Sequence, residues 1–250
     1  MRFFHSKSKL SNPRLPDGYR LYAVGDIHGC ATLLQRAFDS IDEDLSRAGS
    51  LTVIEVYLGD YIDRGPDSRR VLDLLISRRK ERQVVCIKGN HEAFALNALV
   101  DWRKAPTWLR FGGLATLRSY NIQLEFECSE DQIRLALDAF ARIAPPEHLS
   151  FIHSLIPLFE CGDYCFVHAG VNPRLPLSQQ VETDLLSIRT SFLQARRQYE
   201  KYIVHGHTPV REPEVLPNRI NIDTGAYSTG RLTLLTLEED TKHLTSIRMP

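Results

Sequence analysis

The chain has 250 residues, 43% of them apolar, enough for one large α/β domain or two small ones. Lys plus Arg and Asp plus Glu number 31 each, so no net field steers it onto nucleic acid or anionic lipid. No apolar run approaches the roughly 18 residues a membrane helix needs, and the basic residues near Met1 have no apolar stretch behind them, which argues against a secretory signal.

Residues 1–17, with Asn12-Pro13 and Pro16-Asp17-Gly18, read as a flexible or turn-rich lead-in; 18–250 reads as a single domain. Residues 20–24 are strand-like and end at Gly25. Residues 32–45 place Leu33, Leu34, Ala37, Phe38, Ile41 and Leu45 at helical spacing. Residues 51–58, rich in β-branched side chains, end at Gly59, and a second helical pattern covers 71–79. Residues 83–88 form a third strand before Gly89. The stretch from about 93 to 154 breaks this rhythm and reads as mostly helical, with Trp102, Trp108 and the Phe111-Gly112-Gly113 break. Strands return at 165–167, 202–204, 219–222, 232–237 and 243–247. Two mixed sheets packed face to face and flanked by helices would absorb this many strands, so the expected class is α/β. Five cysteines without a C-x-x-C pair favour reduced thiols in a cytoplasmic protein, and Cys161 and Cys165 flank an expected turn at Gly162-Asp163. The run Arg78-Arg79-Lys80-Glu81-Arg82 reads as a solvated helix end.

Chemistry-bearing residues gather where strands end. Asp26 and His28 in Gly-Asp-Ile-His-Gly are two apart, so an extended backbone aims both side chains the same way. In Gly-Asp-Tyr-Ile-Asp-Arg-Gly, Asp60 has two oxygens able to bridge two metals. Asp63 can cap the next helix, and Arg64 offers a planar fork to a phosphoryl group. In Gly-Asn-His-Glu, Asn90 is a helix cap or an oxygen ligand, His91 a proton donor, and Glu92 a first-turn dipole partner. His168 follows an apolar strand, as does the pair His205 and His207. His207, just after Gly206, is better placed to turn into a cleft. A single histidine of this kind is more often a hydrogen-bonded core residue. Five strand ends presenting Asp, His, Asp, Asn, His and His together are not explained that way. The set mixes oxygen and nitrogen without thiolate, which suits manganese, iron or zinc.

These motifs, in order from Gly25 to about Gly230, resemble the PPP phosphoprotein phosphatases of the calcineurin-like metallophosphoesterases, and most resemble the bacterial and phage serine/threonine branch. The runs Trp108-Leu-Arg-Phe-Gly-Gly113 and Asn221-Ile-Asp-Thr-Gly-Ala226 fit that branch too. The resemblance implies a sandwich of two sheets and two divalent transition-metal ions, manganese ahead of iron or zinc. It assigns Asp26 and His28 to one metal, Asp60 to both, and Asn90, His168 and His207 to the other. His91 would be the general acid, oriented by Asp63, with Arg64 on the phosphoryl oxygens. Arg189, in Leu-Ser-Ile-Arg, is the best match for a second phosphate-binding arginine, although Ser187 stands where the pattern has an aromatic residue.

The expected reaction is direct hydrolysis of phosphoserine or phosphothreonine in proteins by a metal-bridging hydroxide. A phosphorylated small molecule is the other substrate class, and a dinucleoside polyphosphate hydrolase the rival enzyme. Asp63 and Glu92 tilt the motifs toward the protein phosphatases. Outside enzymes, the rival is a phosphate-recognising module that has lost catalysis.

Overall fold

The computed structural model describes residues 12–47 and 49–249; of the expected lead-in at 1–17, residues 1–11 lie outside them. Among the described residues, ten strands form two five-stranded sheets. The first runs β10 (Thr241–Arg248), β9 (Arg231–Glu238), β1 (Tyr19–Val24), β2 (Thr52–Tyr57), β3 (Val84–Cys86). Its β1–β2 and β2–β3 pairs are parallel, and its β1–β9 and β9–β10 pairs are antiparallel. The second runs β4 (Leu158–Cys161), β5 (Tyr164–Val167), β6 (Tyr202–His205), β8 (Arg219–Asn221), β7 (Glu214–Leu216). It is parallel at β5–β6 and β6–β8 and antiparallel at both edges. Both sheets are therefore mixed, and they pack face to face.

Strand alternation explains the layering. Leu21, Ala23, Ile54, Val56 and Leu235 from one sheet meet Phe166, Val204 and Ile220 from the other in a core that also takes in Leu15. Alternate residues of the first sheet, including Tyr22, Val24 and Tyr57, face outward onto helices. Helix α1 (Ala31–Arg47) buries Leu33, Leu34, Ala37, Phe38 and Ile41 there, as its spacing predicts. Helix α2 (Ser68–Glu81) starts where the Asp67 carboxylate accepts the Arg70 N–H at 3.1 Å, so Asp67, not Asp63, caps it. The basic run at its end is not wholly solvated: the Arg78 side chain is buried and donates to Glu55 and Asp42. Residues 12–17 lie against both sheets' loops, with Leu15 N–H donating to Glu239 O at 2.8 Å and Arg14 N–H to Asp163 at 3.0 Å.

The middle segment is helical, in pieces. It comprises α3 (Asn90–Val100), α4 (Ala105–Trp108), a π-turn at Leu109–Gly113, α5 (Leu114–Ser119), α6 (Glu130–Ile143) and α7 (Pro146–His153). Ser129 and Gln132 close a capping box at the start of α6. The second sheet's outer face carries α8 (Glu182–Ser187) and α9 (Thr190–Leu193), which cover Cys165, Val167 and Ile203. A short α10 (Ala226–Thr229) precedes β9. The Gly162-Asp163 turn joins β4 to β5, and all five cysteines are unpaired. Among the described residues no helix is long and apolar enough to cross a membrane.

Candidate active site

The parallel strands β1, β2 and β3 of one sheet and β5 and β6 of the other end at the same rim, the place where open α/β sheets bind ligands. Each is followed by one motif: Asp26 and His28 after β1, Asp60 to Arg64 after β2, Asn90 and His91 after β3, His168 after β5, and His207 after β6. The turns are tight. His28, Asp60, Asp63, Arg64 and His207 all have left-handed backbones, with φ of 45°, 50°, 74°, 65° and 66°. Non-glycine residues hold such conformations at a cost of about 1–3 kcal/mol each, and they concentrate where function demands them. Two glycines allow the loops to meet: a Cβ at Gly89 would collide with Asp60, and one at Gly206 with Asp26.

Two clusters result. In one, His28, Asp60 and His91 place potential ligand atoms within 4.8 Å of one another; in the other, Asp60, His168 and His207 do so. Asp60 belongs to both. His28 Nε2 lies 3.4 Å from Asp60 Oδ2, and His168 Nε2 lies 3.4 Å from Asp60 Oδ1. Asn90 Oδ1 and His207 Nδ1 lie 3.0 and 3.1 Å from His168 Nε2. Backbone carbonyls fix two of the imidazoles: His28 Nδ1 meets Ile62 O at 3.0 Å, and His168 Nδ1 meets Leu58 O at 2.9 Å, which leaves Nε2 of each facing inward. Asp26 accepts the His207 N–H at 3.0 Å with one oxygen, while its other oxygen is buried without a partner. His205 stays out of both clusters. It is buried edge-on to Phe192 at 4.9 Å, with Nδ1 on Gly206 O.

The electrostatics follow from crowding. Burial, then the neighbouring Asp223, pushes the Asp26 carboxyl well above its usual range. Burial raises Asp223 to about 6. Burial and Asp60 raise Glu92 to about 7. Burial drives His28 down to about 3 and, with His168 adding to it, His207 to about 2. His168 goes the other way: burial opposes it, but Asp60 and Asp26 raise it to about 10. Buried acceptor oxygens and inward-facing imidazole nitrogens thus converge on one small volume. An orphaned carboxylate oxygen costs about 1–3 kcal/mol or more, and a cation removes that cost. The donor set, oxygen and nitrogen without sulfur, fits divalent transition metals.

Beside these clusters sits a second construction. His91 Nδ1 is 2.7 Å from Asp63 Oδ2. Asp63 also accepts from Trp108 Nε1–H at 3.0 Å and from the Thr116 hydroxyl at 2.6 Å, and its own N–H donates to Ser68 and Thr116. Burial raises the Asp63 carboxyl despite those donors, while Asp60 and Asp63 outweigh burial and raise His91. Arg64 donates through Nη1 to His28 Nε2 and through Nη2 to His91 Nε2, both at 3.0 Å. Its Nε–H reaches Phe111 O at 3.4 Å, and its guanidinium lies 5.0 Å from the Tyr227 ring. Arg189, exposed at the start of α9, donates from Nε to His207 Nε2 at 3.1 Å. Asp26, His28, Asp60, Asp63, Arg64, Asn90, His91, His168, Arg189 and His207 therefore lie together at this rim.

A match to known proteins covers nearly all of this. Residues 19–240 fit the family model described as calcineurin-like phosphoesterase. The chain belongs to the calcineurin-like phosphoesterase family. It is 28% identical over 227 residues to a protein of Oceanobacillus iheyensis named bis(5'-nucleosyl)-tetraphosphatase PrpE [asymmetrical], covering 84% of this chain and 85% of that one. It is also 28% identical over 234 residues to serine/threonine-protein phosphatase 1 of Salmonella typhimurium, covering 87% and 92%. Among solved structures, a putative diadenosine tetraphosphatase superposes with a TM-score of 0.61 at 20% identity, covering 94% of this chain and 98% of that one. As a member of this family, the chain is a metallophosphoesterase with the two-sheet fold described above.

Several contributors to the site are not legible in the sequence. Glu92 does more than favour a helix dipole: its carboxylate accepts the N–H groups of Asp60, Tyr61, Ile62 and Gly89 at 2.7–3.2 Å and so clamps the Asp60 turn. Thr116 and Trp108 hold Asp63 from 53 and 45 residues away. Tyr227 touches both Arg64 and His28. The one signal available was that Trp108 and Asp223 lie in runs that match the family pattern.

Proposed function

We propose that this metallophosphoesterase hydrolyses phosphomonoesters, phosphoserine and phosphothreonine in proteins first among them. Asp26, His28 and Asp60 would hold one divalent ion, and Asp60, Asn90, His168 and His207 a second, with manganese the favoured metal. Ions bound there supply Lewis acidity, which offsets phosphoryl charge and acidifies a water enough to attack at neutral pH. Arg64 and Arg189 offer guanidinium donors from two sides to the phosphoryl oxygens. His91 delivers a proton from Nε2 to the departing oxygen while Nδ1 stays on Asp63, which fixes the ring's orientation.

The observation that carries this reading is the His91–Asp63 pair at 2.7 Å, held by Trp108 and Thr116. A serine or threonine alkoxide is a poor leaving group and gains most from an oriented acid. A nucleotide leaving from a dinucleoside polyphosphate departs as a stabilised phosphate and gains little. His91 also lies among potential ligands, but its Nδ1 is held by the buried Asp63 carboxylate, which favours a protonated imidazole, whereas Nδ1 of His28 and of His168 is held by a backbone carbonyl. The second reading, dinucleoside polyphosphate hydrolysis, draws support from the PrpE-named relatives, which are as similar as the phosphatase-named ones. Turnover on a phosphoserine peptide and on diadenosine tetraphosphate, measured side by side with added Mn²⁺, separates the two. The proposal expects the peptide to have the higher kcat/KM; the reverse order transfers the assignment to the dinucleotide.

A further inference from the structure

The space beside His91 is walled by aromatic rings that none of the roles above requires. Phe94, on α3, stacks on Phe111 with centroids 5.3 Å apart and planes 16° from parallel. Both rings stand steeply to the His91 imidazole, at 64° and 80°, with centroids 6.0 and 6.5 Å from it. Phe111 is 43% exposed. A single exposed apolar side chain is ordinary, and Val100 and Phe126 are more exposed still. Phe111 differs in how it is held. It lies in the π-turn Leu109–Gly113, a distortion that recurs at functional sites. Its carbonyl accepts from Arg64 Nε, and the Gly112 carbonyl accepts the Arg64 N–H at 3.3 Å. Gly112 has a φ of 122°, and a Cβ there would strike Arg64. The backbone that positions the phosphate-gripping arginine thus also fixes the outer ring of the stack.

Which part of a substrate meets these rings follows from the chemistry. The leaving oxygen must lie next to the acid that protonates it, so the group attached to that oxygen lies on the His91 side, against Phe111. Serine's methylene offers such a wall little. A ring bonded to the leaving oxygen can continue the stack, and a nucleobase, several bonds from the phosphorus, would lie beyond it. We propose that Phe111, backed by Phe94, is a specificity-determining residue that extends this phosphomonoesterase beyond alkyl esters by giving an added contact to an aromatic group joined to the phosphorus through oxygen, a phosphotyrosyl or other aryl phosphate ester. In that reaction a water oxygen bonds phosphorus and the phosphorus–aryloxy bond breaks. One proton of the water ends on the phenol, by way of His91 or solvent, and the other stays on the orthophosphate released.

This inference rests on the phosphomonoesterase reading, and one experiment distinguishes their failures. The metal-supplemented full chain and its Phe111→Ala and Phe111→Trp variants are assayed on phosphotyrosine and phosphoserine peptides of identical flanking sequence. Phenylphosphonate and methylphosphonate binding is measured by calorimetry. The inference expects the phosphotyrosine-to-phosphoserine ratio of kcat/KM to fall about five- to tenfold in Phe111→Ala, chiefly through KM, the scale of one aromatic contact. Phe111→Trp should keep the ratio, and the phenyl-to-methyl affinity ratio should fall in parallel with Phe111→Ala. Unchanged ratios in a variant that still turns over phosphoserine overturn this inference alone. A wild-type chain that hydrolyses neither peptide overturns it together with the reading beneath it.

Discussion

The two halves of the rim are built differently. On the side of the first sheet, Asp63 and Glu92 are each saturated with donors, and a helical segment from 93 to 154 supplies Trp108 and Thr116 to one of them. On the side of the second sheet, His168 is tied to one carbonyl, His207 hangs from Asp26 by its own N–H, and Arg189 is exposed with one bond to an imidazole. On the proposed reading, the first half is pre-organised to deliver a proton, and the second half is left to be completed by what binds. Orientation of an acid must be fixed before substrate arrives, whereas a phosphate clamp gains from a side chain free to close.

The residue that joins the halves should matter most. Asp60→Asn removes the carboxylate shared by both clusters, and turnover should drop roughly 10³-fold or more with loss of metal in elemental analysis. Retention of two metals with near-normal turnover would mean that the halves work separately. Next comes the acid itself. His91→Asn should lower kcat on an alkyl phosphate by about 10²–10⁴-fold and on nitrophenyl phosphate far less, because that leaving group needs little protonation. Equal losses on both substrates would remove His91 from proton delivery.

Thr116→Val tests whether the helical segment tunes the first half. It keeps the side-chain shape and deletes a hydroxyl that donates to the buried Asp63 carboxylate, accepts the Asp63 N–H and bonds Ser68, so thermal unfolding should report a loss of about 1–3 kcal/mol or more. The alkyl-phosphate rate should fall more than the nitrophenyl-phosphate rate; a stability loss with both rates unchanged would make Thr116 a packing residue. The smallest effect belongs to the looser half. Arg189→Lys keeps the charge but loses the planar fork, and KM for a phosphopeptide should rise several-fold with the fold intact by circular dichroism. An unchanged KM would place Arg189 outside the phosphate clamp.

Much of this was legible in the sequence because a strand's period of two and a helix's near four are written in side chains. Leu33, Leu34, Ala37, Phe38 and Ile41 marked α1, and the glycines at 25, 59 and 89 marked where strands stop and ligands begin. The candidate ligands were visible because their motifs follow apolar strands; Arg189, which follows α8, was found only through the family resemblance. Short edge strands were not: β4 and β7 have mixed burial, so neither period shows over three or four residues. The hold of Thr116 and Trp108 on Asp63 was also invisible, since local sequence says nothing of which partner a buried hydroxyl or indole finds 45 or more residues away. Arg78 looked like part of a solvated basic run because its partners, Glu55 and Asp42, lie on other elements.

The most direct test of the central claim, that these strand ends form one two-metal hydrolytic centre, is a Mn²⁺ titration of the metal-depleted full chain that follows bound metal and nitrophenyl phosphate turnover together. The account predicts two ions per chain, with turnover rising as the second is taken up. Two bound ions without turnover, or turnover complete before any metal binds, would contradict it.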